Sequence, residues 1–457
     1  MTPVTAPSPA GGPRLPALLP APDAGTPAVR RYAAPVVFAA FGLVDILALG
    51  RAHGSATLGF TPQFAKVTVP NLTMPAATAA IVCGIVTLVL AVARAVEVAG
   101  HGRLLGLGAP GSRATRAGRQ AALGVVLFLF VVALLCWADA SQSAGSGTSA
   151  IPINIVNLLS GSLSQSIPIM LGAIAGVICS RSGVINIAIE GQLLLGAFCA
   201  AIATSATGSL WLGVVCGALA GSLVGSLLAV FAIAYVVDQV VLGVVLNLLI
   251  LGLTGYLYNS LMVPYTNTLN SPATFNPVKI PGLGDIPILG PVFFSSTPFL
   301  YITYGVLIVV SFALFRTRWG LRTRAIGEHP VAADTVGIRV IAMRYRNVIA
   351  AGLIAGIGGA YFTVGSVGSF GIDMSSGEGY IALAAMIFGR YSPFGAVLAA
   401  LLFGFTTQLQ SILSSINVPI QSNLLLMTPY VVTIVVVAGL VGKVRGPKAE
   451  GVPYVKS

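Results

Sequence analysis

The chain is built from about eleven long apolar runs separated by short polar stretches. They fall at 33–50, 76–93, 121–138, 155–178, 188–207, 211–235, 240–260, 299–315, 345–363, 378–411 and 425–442. Most approach the roughly 20 helical residues that cross a hydrocarbon core. The 378–411 run has room for two passes and is interrupted by Gly389-Arg390-Tyr391-Ser392-Pro393. Its first piece, 378–388, is too short to cross alone. It is expected either to be re-entrant or to borrow residues from the preceding loop. The 33–50 run is short and carries Asp45. A β-barrel requires apolar–polar alternation in pieces of about ten residues, whereas Leu123–Leu135 and Val431–Val441 are continuous. The pattern predicts an all-α polytopic membrane protein with about 10–12 transmembrane or re-entrant helices, broken in each half.

Composition agrees. Only 8% of the residues are charged, too few to cover a soluble protein of 457 residues. The net charge of +12 does not point to nucleic acid, because the cations sit between the apolar runs. Arg94, Arg103, Arg113, Arg116 and Arg119 share one loop, and Arg316, Arg318, Arg322, Arg324, Arg339, Arg344 and Arg346 cluster in another. Lys443, Arg445, Lys448 and Lys456 follow the last run. Loops 51–75, 139–154 and 261–298 hold only Arg51, Lys66 and Lys279. The positive-inside rule places the first groups and both termini in the cytoplasm. The parity holds if 378–411 makes two passes and every other run makes one. Residues 1–29, rich in Pro, Ala and Gly, are expected to form a disordered cytoplasmic tail with no signal peptide. Residues 30–150 form N-terminal membrane helices, 151–445 a core, and 446–457 a cytoplasmic tail.

The cysteines lie in or beside apolar runs, and none forms a CxxC. His53, His101 and His329 are scattered, so no metal site is indicated. Gly442-Lys443 precedes Val444 at the end of a run and is not a phosphate-cradling loop. Any ATP must be bound by another chain.

Candidate chemistry lies where polar residues interrupt the apolar runs. The segment 181–192 breaks at Gly183, carries Asn186, and delivers Glu190 into the start of the next helix. A carboxylate there requires a donor or a wet cavity. Two roles are open to it: a cap or interhelical hydrogen bond, or the lining of a path for solute. Arg181 is a candidate partner. The preceding helix holds Asn154, Asn157, Ser160, Ser162, Ser164, Gln165 and Ser166, with Pro168 as a potential break. A second broken region, 363–392, surrounds Asp373 and Glu378 with Gly365, Gly368, Gly371, Gly377 and Gly379. Broken helices of this kind frame solute sites near mid-membrane, and one in each half suggests an internal repeat. Gly217, Gly221 and Gly225, like Gly352 and Gly356, also fit close helix packing. Gln239 and Asn247 are further path candidates, although a lone buried Asn also serves as an interhelical hydrogen bond. Loop 261–298 is large enough to form an outer platform, with Phe293, Phe294 and Phe299 as interfacial anchors.

The basic loop 316–346 contains Pro330, which is suited to start a short helix carrying Val331, Ala332 and Ala333, with Gly337 to end it. Such a helix can dock in a protein groove; otherwise the loop is an ordinary positive-inside loop facing lipid phosphates. The stretches Gly183-Val-Ile-Asn-Ile-Ala-Ile-Glu-Gly191, Arg324-Ala-Ile-Gly-Glu-His-Pro-Val-Ala-Ala333 with Gly337-Ile338, and Gly389-Arg-Tyr-Ser-Pro-Phe-Gly395 resemble permease subunits of bacterial ABC importers. The chain is most similar to the branched-chain amino acid/ribose-type superfamily, and within it to nucleoside (guanosine-type) permeases. The likeness covers roughly 150–445.

The resemblance implies a non-catalytic subunit in the bacterial cytoplasmic membrane, with no cofactor of its own. ATP and Mg would be bound by a cytoplasmic ABC ATPase dimer. A second permease, copy or paralogue, and an extracytoplasmic solute-binding lipoprotein complete the expected assembly. Glu328, Pro330, Ala332, Ala333 and Gly337 fall on the family's ATPase-coupling loop, where Val331 replaces the Glu of many importers. Gln165, Asn186, Glu190, Asn247 and Glu378 are expected to line the substrate path. The alternatives are a simple-sugar or branched-chain amino acid permease, and, in a different class, an ion-coupled secondary transporter using Glu190 or Asp45.

Overall fold

The structure is a computed structural model that describes residues 28–51, 54–60, 70–98, 113–146, 153–416, 418, 421–428, 430–431 and 445–455. The expected 1–29 tail and the 425–442 crossing lie largely outside the described residues, as does Arg103. Among the described residues nine helices are long and apolar enough to cross a membrane. The architecture is all-α apart from two small sheets.

Two compact units are present. In the first, helix α1 (Ala28–Leu47) packs with α2 (Ala76–Val98) and the first part of α3 (Arg113–Ser146). Gly42 and Gly84 let α1 and α2 approach closely: a Cβ on Gly42 would lie 2.8 Å from Leu88 Cγ, and one on Gly84 would lie 2.6 Å from Ile46 Cγ1. The Phe41 and Phe130 rings meet at 4.6 Å. The 33–50 run is thus a helix, although it is not among the nine crossing candidates. Asp45 is fully buried there, and neither carboxylate oxygen has a hydrogen-bond partner among the described residues.

The second unit carries a three-stranded sheet in which β1 (Ser55–Gly59) pairs antiparallel with β2 (Leu72–Pro75) and parallel with β3 (Ile153–Asn154). Asp139 accepts from the Thr57 amide at 2.7 Å. The helices of this unit are α4 (Ile155–Arg181), α5 (Ile189–Thr207), α6 (Leu210–Ala229), α7 (Gln239–Leu257), the short α8 (Thr266–Leu269) and α9 (Leu289–Phe293), and α10 (Pro298–Arg316). After them come α11 (Arg318–Glu328), α12 (Pro330–Thr335), α13 (Val340–Ala360), α14 (Glu378–Phe388), α15 (Pro393–Ser415) and α16 (Ser422–Leu426).

Helix starts follow the polar residues at their borders. Asn154 caps α4 by accepting from the Val156 and Asn157 amides, and Asp238 caps α7 in the same way. Pro168 does not break α4, which runs unbroken from 155 to 181. Almost every residue from 162 to 180 is buried, so neighbouring helices keep α4 continuous despite the lost donor.

The core crossing joins α5, α6 and α13. In lipid, apolar surface alone does not pull helices together, so small residues that admit backbone contact decide which helices meet. A Cβ on Gly221 would lie 2.6 Å from Gly356 Cα, one on Gly196 2.6 Å from the Gly356 carbonyl, and one on Gly225 2.9 Å from the Val348 carbonyl. The glycines singled out by their spacing are therefore the packing seam.

Hydrogen bonds define two ends of this unit. At one end, loop 261–298 folds over the bundle. Asn270 exchanges hydrogen bonds with the Phe370 backbone, the Phe275 amide reaches the Val364 carbonyl at 2.9 Å, and the Ser271 amide reaches Ser205 Oγ. The strands β4 (Val278–Lys279) and β5 (Ser295–Ser296) pair within this loop. Phe299 is no interfacial anchor. It is fully buried and packs edge-on against Phe275 and Tyr361, because its place in the first turn of α10 aims it at the bundle. Phe293 is exposed.

The opposite end holds 182–188, 327–339, 389–392 and 445–455. Residues 368–377 run as turns from the Asn270 contact down to the start of α14, and α14 ends beside Arg181, which donates to the Tyr391 carbonyl at 2.8 Å. Loop and short helix together make the return pass, so the 378–388 piece does borrow from the loop before it.

Replacing Gly221 or Gly356 with Val is expected to destabilise the bundle by roughly 1–3 kcal/mol or more, the cost of overpacking a filled contact. Loss of monodispersity on heating in detergent, relative to a Gly252→Val control in open space, is the measurement.

Candidate functional site

The break between α13 and α14 leaves backbone N–H groups without helical partners inside the bundle. Glu190, in the first turn of α5, satisfies them. Its Oε1 accepts from Ser375 Oγ at 2.6 Å and the Gly377 amide at 2.8 Å, and its Oε2 accepts from the Gly379 amide at 2.6 Å. Glycine is required at this junction. Gly377 has a φ of 85°, and a Cβ on Gly379 would sit 2.5 Å from the Glu190 amide nitrogen. Asp373 and Ser376 also take positive φ, so the turn is wound tightly around the carboxylate. Arg181 is not the partner of Glu190. Glu190 binds the start of α14, whereas Arg181 donates to the Tyr391 carbonyl just past the end of that helix.

Asn247 on α7 fastens the same junction from the other side. Its Oδ1 accepts from the Gly191 amide at 2.9 Å, and its Nδ2 donates to the Ile187 carbonyl and to Tyr380 Oη, both at 3.0 Å. Asn186 donates to Gln192 Oε1 at 3.0 Å, and Gln239 accepts from the Ile185 amide at 2.8 Å. Asn186, Glu190, Asn247 and Glu378 are thus gathered at one place, where the bend before α5 meets the start of α14.

Glu378 differs from the others. Its Oε2 is buried and has no hydrogen-bond partner among the described residues, and the carboxyl lies close to Glu190 and Tyr361. The Tyr361 phenol lies beside Ser164 of α4 and Ser366. Residues 361–367 form a π-helical continuation of α13, a distortion that turns side chains off the regular helix register. Gln165 is half-buried on α4 next to Ser164.

The coupling candidates sit at the other end. Pro330 occupies the first turn of α12, and Gly337 closes it at a φ of 84°, with its amide bonded to the Asp334 carbonyl. Ala333 is buried against Ile326 and Val340, while Glu328, Val331, Ala332 and Val336 are exposed. The buried Ser375, Tyr361 and Gln192 also belong to the polar site, and the exposed Tyr380 borders it. Gln192 closes the 181–192 segment that the sequence singles out, and the Ser375-Ser376-Gly377 run lies in the glycine-rich 363–392 region that marks the turn.

The described residues thus form a bundle of long apolar helices with buried polar joints at two interrupted helices. Residues 158–444 match the family described as branched-chain amino acid transport system / permease component, and the chain belongs to that family. It is the permease subunit of an ABC importer, forming a translocation pathway and working with a separate ATPase and a solute-binding protein. The guanosine ABC transporter permease protein NupQ of Bacillus subtilis is 41% identical over 317 residues, 66% of this chain and 99% of its own length. The nucleoside ABC transporter permease protein NupC of Lactococcus lactis subsp. cremoris is 39% identical, covering 67% of this chain and all of its own. The putative glucose ABC transporter permease protein TsgC13 of Haloferax volcanii is 33% identical over 58% of this chain and 80% of its own length. No solved structure matches the chain.

Glu190→Gln presents one acceptor where two are used and sets an amide donor against a backbone N–H. A loss of about 1.5–3 kcal/mol is expected, the range for hydrogen bonds to a charged group. Thermal unfolding in detergent measures it, and Arg181→Ala should leave this junction in place.

Proposed function

We propose that the chain imports nucleosides. The observation that carries this reading is the likeness of two thirds of the chain to the whole length of NupQ, named for guanosine, and NupC, named for nucleosides, both more similar than the glucose-named TsgC13. The polar site supports it. A nucleoside presents ribose hydroxyls and base N–H groups, and Glu378 Oε2 offers a buried acceptor with no donor among the described residues, near the Tyr361 phenol, which lies beside the Ser164 hydroxyl. Glu378 and Gln165 face the solute. Asn186, Glu190 and Asn247 hold the interrupted ends of α5 and α14 that frame it. An importer of sugars or branched-chain amino acids built on the same frame is the competing reading. Ion coupling through Glu190 finds no support, because both its oxygens are engaged by the 375–379 turn.

The arginine-rich end carrying α11 and α12 faces the cytoplasm, with both termini on that side. There Glu328, Pro330, Ala332, Ala333 and Gly337 shape the helix that meets an ATPase dimer. A second permease completes the pore, and an extracytoplasmic lipoprotein delivers solute to loop 261–298. ATP and Mg stay in the partner chain. This chain does no covalent chemistry; its polar groups replace water around the solute as the two halves of the assembly rock.

Uptake of radiolabelled guanosine, ribose, glucose and leucine in cells lacking and regaining the gene tests the substrate. Restoration of ribose or leucine uptake without guanosine uptake would defeat the nucleoside reading. In the same assay Glu378→Gln is expected to raise the guanosine KM about tenfold, the scale of one lost hydrogen bond to a charged group. Ala333→Trp, which forces α12 off the Ile326–Val340 surface, is expected to abolish solute-stimulated ATP hydrolysis; normal stimulation would remove the coupling role.

A further inference from the structure

Residues 445–455 lie across the end of the bundle that carries α11 and α12, and their bonding is specific. The Ala449 amide donates to the Gly327 carbonyl at 2.9 Å, and the Gly451 amide to the Gly183 carbonyl at 3.3 Å. The segment therefore bonds to the end of α11 and to the bend between α4 and α5 within three residues. Ala449 is buried. Gly451 takes a φ of 74°, and a Cβ there would lie 2.7 Å from Ile185 Cδ1, so the chain is pressed onto the bend.

Side chains hold both ends of this contact. The Glu450 carboxylate lies beside Ser180, Tyr391 and Arg181. Burial, followed by the nearby Glu450 charge, pushes the Tyr391 phenol up to about 12, so it stays protonated as a donor to that carboxylate. Further along, Tyr454 packs on the Ile326–Ala333–Val340 cluster under α12 and lies beside Asp334 of α12 itself. Arg344 is fully buried near the start of α13, and its Nη1 donates to the Val452 carbonyl at 3.1 Å. Its Nε and Nη2 have no partner among the described residues. A Cβ on Gly183 would lie 2.7 Å from the same guanidinium. One buried cation thus bridges the segment to the Gly183 bend.

A six-residue helix can pass on movement only through what it is attached to. Along the chain α12 is joined to α11 and α13. Through Tyr454 and the segment 447–454 it is joined to the Gly183 bend, seven residues before Glu190 and the polar site. We propose that residues 447–454 are a transmission strap: they tie α12 to the bend before α5, so that displacement of α12 reaches the junction held by Glu190. Tyr454 and Glu450 are positioning residues at its two ends. The proposal rests on the reading of α12 as the ATPase contact.

The test uses the whole transporter, with its ATPase and binding protein, in liposomes, and reads guanosine imported per ATP hydrolysed. Tyr454→Ala and Glu450→Gln are each expected to lower this ratio about fivefold or more, a typical coupling free energy, while the chain still co-purifies with its ATPase. Tyr454→Phe, which keeps the packing, should recover most of it. A merely structural tail would change yield or stability and leave the ratio alone. If both substitutions leave the ratio at the wild-type value while Ala333→Trp abolishes it, the strap is refuted and the coupling helix stands. If Ala333→Trp also has no effect, the reading of α12 fails first and takes the strap with it. Should the wild-type chain import no guanosine, the same comparison is made with D-glucose, and the ratio decides in the same way.

Discussion

Everything at the polar site depends on one carboxylate closing one gap in the backbone. A helix interrupted inside lipid exposes amides that have no water to bond. The 368–377 turns and the start of α14 are such a gap, and Glu190 fills it with three short hydrogen bonds. The arrangement works in both directions, since the amides also compensate the buried charge. Asn247 then locks α7 to the same junction through Gly191 and Tyr380. With these groups satisfied by one another, Glu378 is left with a buried oxygen that has no donor among the described residues.

That frame is carried by helices that meet backbone to backbone. Gly196, Gly221, Gly225 and Gly356 let α5, α6 and α13 cross more closely than side chains would permit. Such contacts resist shear, because any sliding brings a carbonyl against a Cα. The departures from regular helix in this bundle are the π-helical turn 361–367, the loop after it, and the Gly183 bend. Those places join the polar site to the two ends of the core unit.

At the end bearing α11 and α12, the backbone of the C-terminal segment bonds to α11 and the Gly183 bend, and its side chains reach α12 and the 389–392 turn. Arg344, buried among them, fixes their separation. Val331 and Ala332 of α12, and Val336 just past it, are exposed.

Membrane helices are legible in a sequence because crossing lipid demands continuous apolar length, and the runs from 155 to 363 predict the observed helices closely. Pro330 and Gly337 mark the ends of α12, and the glycine spacing marks the α6–α13 seam, because backbone geometry is set by local residue type. The identities of Glu190, Asn186, Asn247 and Glu378 as unusual groups were equally plain, since polar atoms in apolar runs need partners. Which partners they have was not. Arg181 is near Glu190 in sequence, yet the groups that bind Glu190 lie 185 to 189 residues away. Phe299 reads as a surface anchor until the 261–298 loop folds over it, and Pro168 reads as a break until neighbouring helices keep α4 continuous. The C-terminal segment reads as a tail, since its carbonyl and amide bonds leave no trace in side-chain pattern. The sequence alone determined the lipid-crossing helices and the residues that cannot be left bare within them. Only the tertiary structure decided which distant backbone and side-chain groups satisfy them, because that choice depends on how the helices pack against one another.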